Sequence, residues 1–306
     1  SLFRLIFKLK SDTDNKIVRQ DLFIHFLLAV PLAHEIRRAQ PRLLNAHFAD
    51  AAASFAMLSS RLLLIPYGIT MHAFDIFTKQ FNMSEKLKHA RFIFTCTRFN
   101  KRTLVRRFPH MDDSLIKVVY HGIDINLFKP DKRVSKDRPV LLSVGRLVRK
   151  KGFSHLIQAC AMLKRRGVSF TCIIIGEGPE RDPLNSLIEK NDLSEDILLP
   201  GSVPHREIRA HYQDAFAFVL PCLVEDDGNR DGIPNVIAEA MAMELPVVST
   251  RVSGIPELVL HGKSGILVSE KNPAQLAQAL QNLLEHPEIA EQYGAVGRQR
   301  VMDIFQ

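Results

Sequence analysis

The stretch Glu225–Thr250, EDDGNRDGIPNVIAEAMAMELPVVST, decides how the rest of the chain is read. It falls into a loop, a helix and a strand in direct succession. The loop is acidic and carries glycine: Glu225, Asp226, Asp227, Gly228, Asp231 and Gly232. Pro234 suits the first turn of a helix, where its missing N–H has no intrahelical acceptor to lose. Val236, Ile237, Ala240 and Met241 recur at i, i+1, i+4 and i+5 and form one apolar face. Pro246 ends the helix, and Val247–Thr250 has the composition of a buried strand. Two carboxylates bracket the helix start, Asp231 ahead of it and Glu239 two turns in, about 10 Å apart along the axis. Between them lie free backbone N–H groups at the positive end of the helix dipole, which suit a phosphate. Such an order fits an elongated ligand with hydroxyls at both ends and a diphosphate in the middle, as in a sugar nucleotide. Standing alone, acidic residues near a helix start are ordinary capping chemistry; the surrounding strands supply the weight.

Upstream, strands and helices alternate. Val140–Val144, Phe170–Ile175, Ile197–Leu199 and Ala215–Leu220 read as strands; Phe153–Arg166, Glu180–Lys190 and His205–Tyr212 read as helices. Downstream come helices at Pro273–Glu285 and from Glu288 onward. This alternation predicts a doubly wound parallel sheet, whose ligands bind outside the carboxyl ends of the strands. After the first of these strands stands Gly145-Arg146-Leu147-Val148-Arg149-Lys150-Lys151-Gly152, where Arg146 and Lys151 can neutralise a diphosphate. A solvated basic loop explains it as well when it is taken alone. After the second stands Gly176-Glu177-Gly178-Pro179, which is not GxGxxG. It suits either a close approach to a base or ribose, or a plain tight turn.

The first half follows the same alternation less cleanly. Residues 1–40 pattern as helix with a polar break at Ser11–Asn15, and Pro41 stops them. Leu43–Phe48 reads as a short strand and Ala51–Arg61 as a buried helix. Leu62–Ile65 and Tyr67–Met71 read as a strand broken by Pro66 and ending at His72. Phe92–Cys96 and Lys117–Tyr120 are further short strands. The charged, proline-flanked segment Asp131–Pro139 sets the expected boundary, giving domains 1–135 and 136–306.

At 306 residues and 46% hydrophobic, the chain is long enough for two cored domains. A net charge of +8 favours anionic partners such as nucleotide phosphates, acidic lipids or lipid-linked phosphates. No nucleic-acid-binding motif accompanies it. Cys96, Cys160, Cys172 and Cys222 are scattered without a CxxC pair, as expected of core thiols in a reducing compartment. The longest apolar run, Leu22–Ala33, is broken by His25 and Pro31 and falls short of the roughly 20 residues that span a membrane. No signal peptide is read, and Ser1 in place of Met suggests a truncated or processed start. The expectation is cytoplasmic, with peripheral contact at the inner face of the membrane as a weaker one. That rests on Arg91, Arg98, Lys101, Arg102, Arg106 and Arg107, a window without an acid, which a solvated helix face explains equally well.

Taken together, Arg146…Lys151-Gly152, Gly176-Glu177-Gly178-Pro179 and Asp231-Gly232-Ile233-Pro234…Glu239-Ala240-Met241-Ala242, followed by Pro246-Val247-Val248, resemble the retaining GT-B glycosyltransferases of family 4, nearest the colanic-acid or exopolysaccharide type. His121-Gly122-Ile123-Asp124…Phe128-Lys129-Pro130 resembles that family's interdomain hinge, and His72 within Thr70–Asp75 its N-domain histidine motif. The resemblance implies an α/β, GT-B architecture: two Rossmann-like domains facing across a cleft, with the N-terminal, acceptor-side one incomplete. It also implies roles. Asp231 and Glu239 match the E-x7-E pair, the first on the donor sugar and the second on the ribose. Arg146 and Lys151 match the cations on the diphosphate. Gly232, Ile233, Pro234 and Asn235 match the helix start facing the phosphates. Gly176 and Glu177 lie near the base, and His72 near the sugar. Asp231 is one methylene shorter than the usual glutamate, and Glu244 stands where the family has glycine.

The implied reaction is hexosyl transfer from a UDP- or GDP-hexose to a hydroxyl of a saccharide or lipid-linked acceptor. The leaving diphosphate would be stabilised without a metal; no Asp-x-Asp follows a strand, and Asp226-Asp227 reads as a solvated loop. The rival is a non-catalytic module that holds a nucleotide sugar or a partner enzyme. A nicotinamide dehydrogenase fails for want of GxGxxG after a first strand.

Overall fold

The computed structural model describes residues 16–78, 82–131 and 138–305. The helical segment and polar break expected before Lys16, and most of the charged segment 131–139, lie outside the described residues. The chain divides into two compact units, Ser1–Val119 and Tyr120–Gln306.

In the first unit four parallel strands lie in chain order: β1 Leu44–His47, β2 Tyr67–Met71, β3 Ile93–Thr95 and β4 Ile116–Val118. Their apolar residues close a core with the intervening helices, in which Met57, Tyr67, Ile69, Met71, Leu87, Ile93 and Leu104 are buried. Helix Ala51–Leu63 starts where Asp50 Oδ1 accepts the Ala52 N–H at 2.9 Å. The strand expected at Leu62–Ile65 is instead the end of this helix. Leucine is a strong helix former, and a short apolar run does not separate strand from helix by pattern alone. Leu64 closes the helix in the left-handed region, φ 59°, with its N–H on Ser60 O.

The second unit is a six-stranded parallel sheet: β5 Val140–Val144, β6 Thr171–Ile175, β7 Ile197–Gly201, β8 Ala217–Leu220, β9 Val247–Thr250 and β10 Gly265–Val268. The order is β10-β9-β8-β5-β6-β7. It reverses between β5 and β8, the switch point at which such sheets open a crevice beyond their strand ends. Strand β10 was not expected; its four residues are too few to show a period. Both faces are covered by helices, and Leu142, Ile174, Phe218, Val219, Val247 and Val248 are buried in one core.

The boundary falls at Val119–Tyr120 rather than at 135–136. Residues 120–130 belong to the second unit because they pack on its last helix, Pro287–Ile304, and the residue after it. Ile123 N–H bonds to Phe305 O at 2.9 Å, Arg298 Nη1 reaches Phe128 O at 3.0 Å, and Phe128 is buried in the core. Glu244 sits just past helix Asn235–Ala242 with φ 57°, a left-handed position that explains why glycine suits it. Among the described residues no helix is long and apolar enough to cross a membrane.

Candidate active site

Strands β5 and β6 go on pairing past their ends. Gly145 N–H bonds to Ile175 O at 2.9 Å and Leu147 N–H to Glu177 O at 2.8 Å. A Cβ on Gly176 would lie 1.9 Å from Gly145 O, and one on Gly178 2.3 Å from Leu147 O. These two glycines therefore let the loops lie against each other. Arg146 is exposed on this double loop. Glu177, also exposed, accepts from Arg181 Nη1 at 2.8 Å, a partner the sequence did not suggest.

The loop then turns through Arg149–Lys151 and ends at Gly152, φ 72°, where a Cβ would lie 1.9 Å from Pro221 O. Leu223 N–H bonds to Lys150 O at 2.9 Å. The basic turn is thus docked on the segment after β8, across the switch point. In consequence Lys151 Nζ lies 2.7 Å from Asp231 Oδ2 and Lys150 Nζ 3.2 Å from Oδ1. All three side chains are largely sheltered, at 13%, 23% and 17% exposure. Burial pushes the Asp231 carboxyl up, but the Lys151 and Lys150 ammoniums outweigh it and hold it below the usual carboxylate range. Burial pulls Lys151 down, and Asp231 more than offsets this, leaving the ammonium above its ordinary value. Two cations against one anion leave an excess positive charge. The neighbouring Cys222 thiol is pushed up to about 12, chiefly by burial, and stays protonated.

Helix Asn235–Ala242 begins one residue later than expected: Pro234 precedes it in an extended conformation, φ −63° and ψ 126°. Asn235 Oδ1 lies 3.2 Å from His121 Nδ1. Gly232 O accepts the Gly254 N–H at 3.1 Å, and Ile233 packs half-buried on the core. Glu239 accepts the Tyr212 hydroxyl at 2.9 Å, and Tyr212 is fully buried. Burial and the Glu239 charge both push that hydroxyl's pKa well above its ordinary value, so it remains a donor. Lys150 and Tyr212 were missed. The Lys150-Lys151 doublet was the available signal for the first, while nothing in a helix pattern marks a tyrosine as the partner of a carboxylate.

Asp226 and Asp227, read as a solvated loop, are both exposed, and they border a surface cavity of about 630 Å³ with Arg149, His155, Glu180 and Glu225.

His72 belongs to the first unit, at the end of β2. Its N–H donates to Asp75 Oδ2 at 2.9 Å. Its ring is not isolated: centroids lie 4.8 Å from Phe48 and 6.2 Å from His47, the latter stacked at 23°. The basic window resolves into helix Arg98–Arg107, where Lys101 and Arg107 are spent on the carbonyls of Ile116 and Ile76.

The sequence matches Glycosyl transferases group 1 over residues 124–300 and Glycosyltransferase Family 4 over residues 15–127. It is 43% identical over 166 residues to WcaL of Escherichia coli K12, a proposed colanic acid biosynthesis glycosyltransferase, covering 54% of this chain and 41% of that protein. It is 41% identical over 169 residues to AmsK of Erwinia amylovora, an amylovoran biosynthesis glycosyltransferase, covering 55% of this chain and 42% of the relative. A GDP-mannose-dependent phosphatidylinositol monomannoside mannosyltransferase of Mycolicibacterium smegmatis is 32% identical over 195 residues, or 60% and 51% of the two chains. The chain therefore spans about half the length of the curated relatives it matches. Among solved structures, a Rickettsia africae glycosyltransferase superposes with TM-score 0.78 at 18% identity, covering 96% of this chain and 79% of that one. Anabaena HepE in complex with UDP-glucose gives 0.75 at 20%, covering 91% and 78%. The chain belongs to the group 1 glycosyl transferases, with a family 4 first unit and the α/β fold of GT-B enzymes.

Proposed function

We propose that the chain transfers a hexose from a nucleotide-diphosphate sugar to a hydroxyl acceptor, with retention at the anomeric carbon, in exopolysaccharide or glycolipid synthesis. The observation that carries this is the Lys150–Asp231–Lys151 triad at the switch point of the second sheet. Its excess cation suits a diphosphate, and its ionised carboxylate suits sugar hydroxyls as an acceptor. The start of helix Asn235–Ala242 adds backbone N–H donors and its dipole. Glu239, oriented by Tyr212, takes the ribose hydroxyls, and Glu177 lies toward the base. As the diphosphate leaves, the charge growing on it is met by Lys151, Lys150, Arg146 and the helix start, an electrostatic route that calls for no metal. In the first unit, His72 places acceptor hydroxyls.

A GDP-mannose-dependent relative and a neighbour bound to UDP-glucose support a nucleotide-sugar donor and leave the base open between them. The acceptor is a saccharide or a lipid-linked one. The exposed arginines of helix Arg98–Arg107, Arg98, Arg102 and Arg106, favour peripheral contact with anionic membrane on the cytoplasmic side.

The test is turnover of UDP- and GDP-hexoses, with product anomers followed by NMR. Wild type is expected to release nucleotide and give the retained anomer, and Asp231→Asn to lose at least a hundredfold. Unchanged turnover in that variant ends the reading. Binding without turnover in wild type favours the second reading, a non-catalytic module that holds a nucleotide sugar.

A further inference from the structure

Phe48 combines two features that cost stability. Its backbone is left-handed, φ 71°, where a large L-residue is strained and glycine is not. The residue is 42% exposed, so burial offsets only part of the strain. A turn needing only the backbone would be better served by glycine or asparagine.

The surroundings hold this arrangement firmly. Phe48 N–H bonds to Thr70 O at 3.0 Å, carrying the β1–β2 pairing one residue past β1. Beneath the turn, Lys86 is 1% exposed and its Nζ donates to both Ala49 O and Asp50 O at 2.8 Å. Beneath the next turn, Asp75 is 0% exposed and takes the His72 N–H. Two buried ionisable side chains therefore fix the backbones that carry Phe48 and His72, whose ring centroids lie 4.8 Å apart. Supporting groups locked under a strained, solvent-facing ring mark a preorganised binding surface. It stands at the carboxyl ends of parallel strands, the edge on which α/β sheets bind ligands.

We propose that Phe48, with His72 beside it, is a stacking platform for a pyranose ring of the acceptor saccharide. One face of a pyranose presents axial C–H groups and is apolar, so it packs on an aromatic ring. Its equatorial hydroxyls then lie at the rim, within reach of the His72 imidazole. The proposal rests on the transferase reading and assigns an acceptor residue within it.

The chain contains no tryptophan, so Phe48→Trp introduces a single indole reporter. Its emission is expected to shift on titration with octyl glycosides of mannose, galactose or glucose, and to stay unchanged with octanediol. In parallel, Phe48→Leu keeps an apolar side chain without a ring. It is expected to raise the KM for the octyl glycoside acceptor at least tenfold while donor hydrolysis without acceptor stays at the wild-type rate. Phe48→Tyr is expected to retain the wild-type KM. Donor hydrolysis with a silent indole and an unaltered acceptor KM in Phe48→Leu overturns the platform and leaves the transferase reading intact. A glycoside-responsive indole in a chain that turns over no nucleotide sugar keeps Phe48 as a sugar-stacking ring but removes the transferase reading and, with it, the acceptor assignment.

Discussion

The two units place their candidate residues at the same structural address, just past parallel strands, and equip it in opposite ways. In the second unit the ionised groups are the recognition surface: Asp231 is held between Lys150 and Lys151, and an excess positive charge is left over. In the first, the ionisable groups lie below it. Lys86 is spent on two carbonyls and Asp75 on the His72 N–H, and what reaches solvent is the ring of Phe48. The backbone differs in the same sense. The second unit turns on Gly152, Gly176 and Gly178, where a Cβ would strike a carbonyl oxygen. The first forces a phenylalanine into a left-handed turn. One ground plan thus serves an anionic ligand where charge is left at the rim, and a neutral ring-shaped one where charge is sunk into the scaffold.

The sharpest way to break this contrast is Lys86→Met. If Lys86 is scaffold, its removal leaves two carbonyls and Asp75 without their cation, at a cost of about 3 kcal/mol or more. Thermal unfolding of the first unit should move down by several degrees while calorimetric nucleotide affinity, a property of the second, stays as it was. A loss of nucleotide binding with unchanged melting would reverse the assignment. Gly152→Ala is the counterpart. Its Cβ meets Pro221 O, so the basic turn must leave the β8 segment and take both lysines with it. The expected cost is about 2–3 kcal/mol in the second unit, with at least tenfold weaker UDP or GDP binding. Lys151→Ala should reproduce the binding loss with less of the destabilisation.

The unequal legibility of the two halves has the same origin. The second sheet is written in runs rich in β-branched residues, such as Thr171–Ile175 and Val247–Thr250, each set between helical segments, which leave little choice of element. Its carboxylates and cations stand in a recognisable order, so Asp231 and Lys151 could be expected on one rim before any coordinates, though not as an ion pair. Lys150 could not be told from its neighbour, because the choice depends on how the Gly152 turn docks. In the first unit the strands are three to five residues long, and Leu62–Ile65 could pass for one. His72 stood out as a residue type, but the ring beside it did not. Nothing in Asn45-Ala46-His47-Phe48 announces a left-handed phenylalanine, and the Lys86 that holds the next two carbonyls lies 38 positions further along the chain.

Acidity separates the units by sign. Burial pushes the Asp75 carboxyl up to about 6, against the pull of the His72 and Ala49 N–H groups. The fold thus holds that proton at higher pH than an unfolded aspartate near 3.9 does. Its contribution is full below about pH 4 and is lost as pH rises through 6. Asp231 is depressed, so its contribution is present above about pH 4 and lost only as pH falls through its lower folded value. Lys86, pulled down to about 8 chiefly by burial, stays charged throughout the acid range. Lowering pH from 7 to 5 should therefore add about 1 kcal/mol to the first unit through Asp75, opposed by His89, whose imidazole burial holds below its ordinary value; the Asp75 part is read as the difference in unfolding midpoints between wild type and Asp75→Asn. That variant should remove this part and no other.

The smallest effect tests whether strain at Phe48 differs in kind from strain elsewhere. Glu244 shares its left-handed backbone, but at a helix end beside Gly294, where its carboxylate makes only a 3.9 Å contact with Arg298. Glu244→Gly should relieve about 1 kcal/mol and raise the second unit's melting temperature by roughly 2–4 °C, with donor turnover untouched. Phe48→Gly relieves the same kind of backbone strain in the first unit and should also raise its melting temperature. There the gain must come with loss of acceptor use, because the ring that the strain positions is gone. If both glycines are equally silent in turnover, the strain at Phe48 is an accident of the turn. If only Phe48→Gly exchanges function for stability, the left-handed phenylalanine is held in place by what it binds.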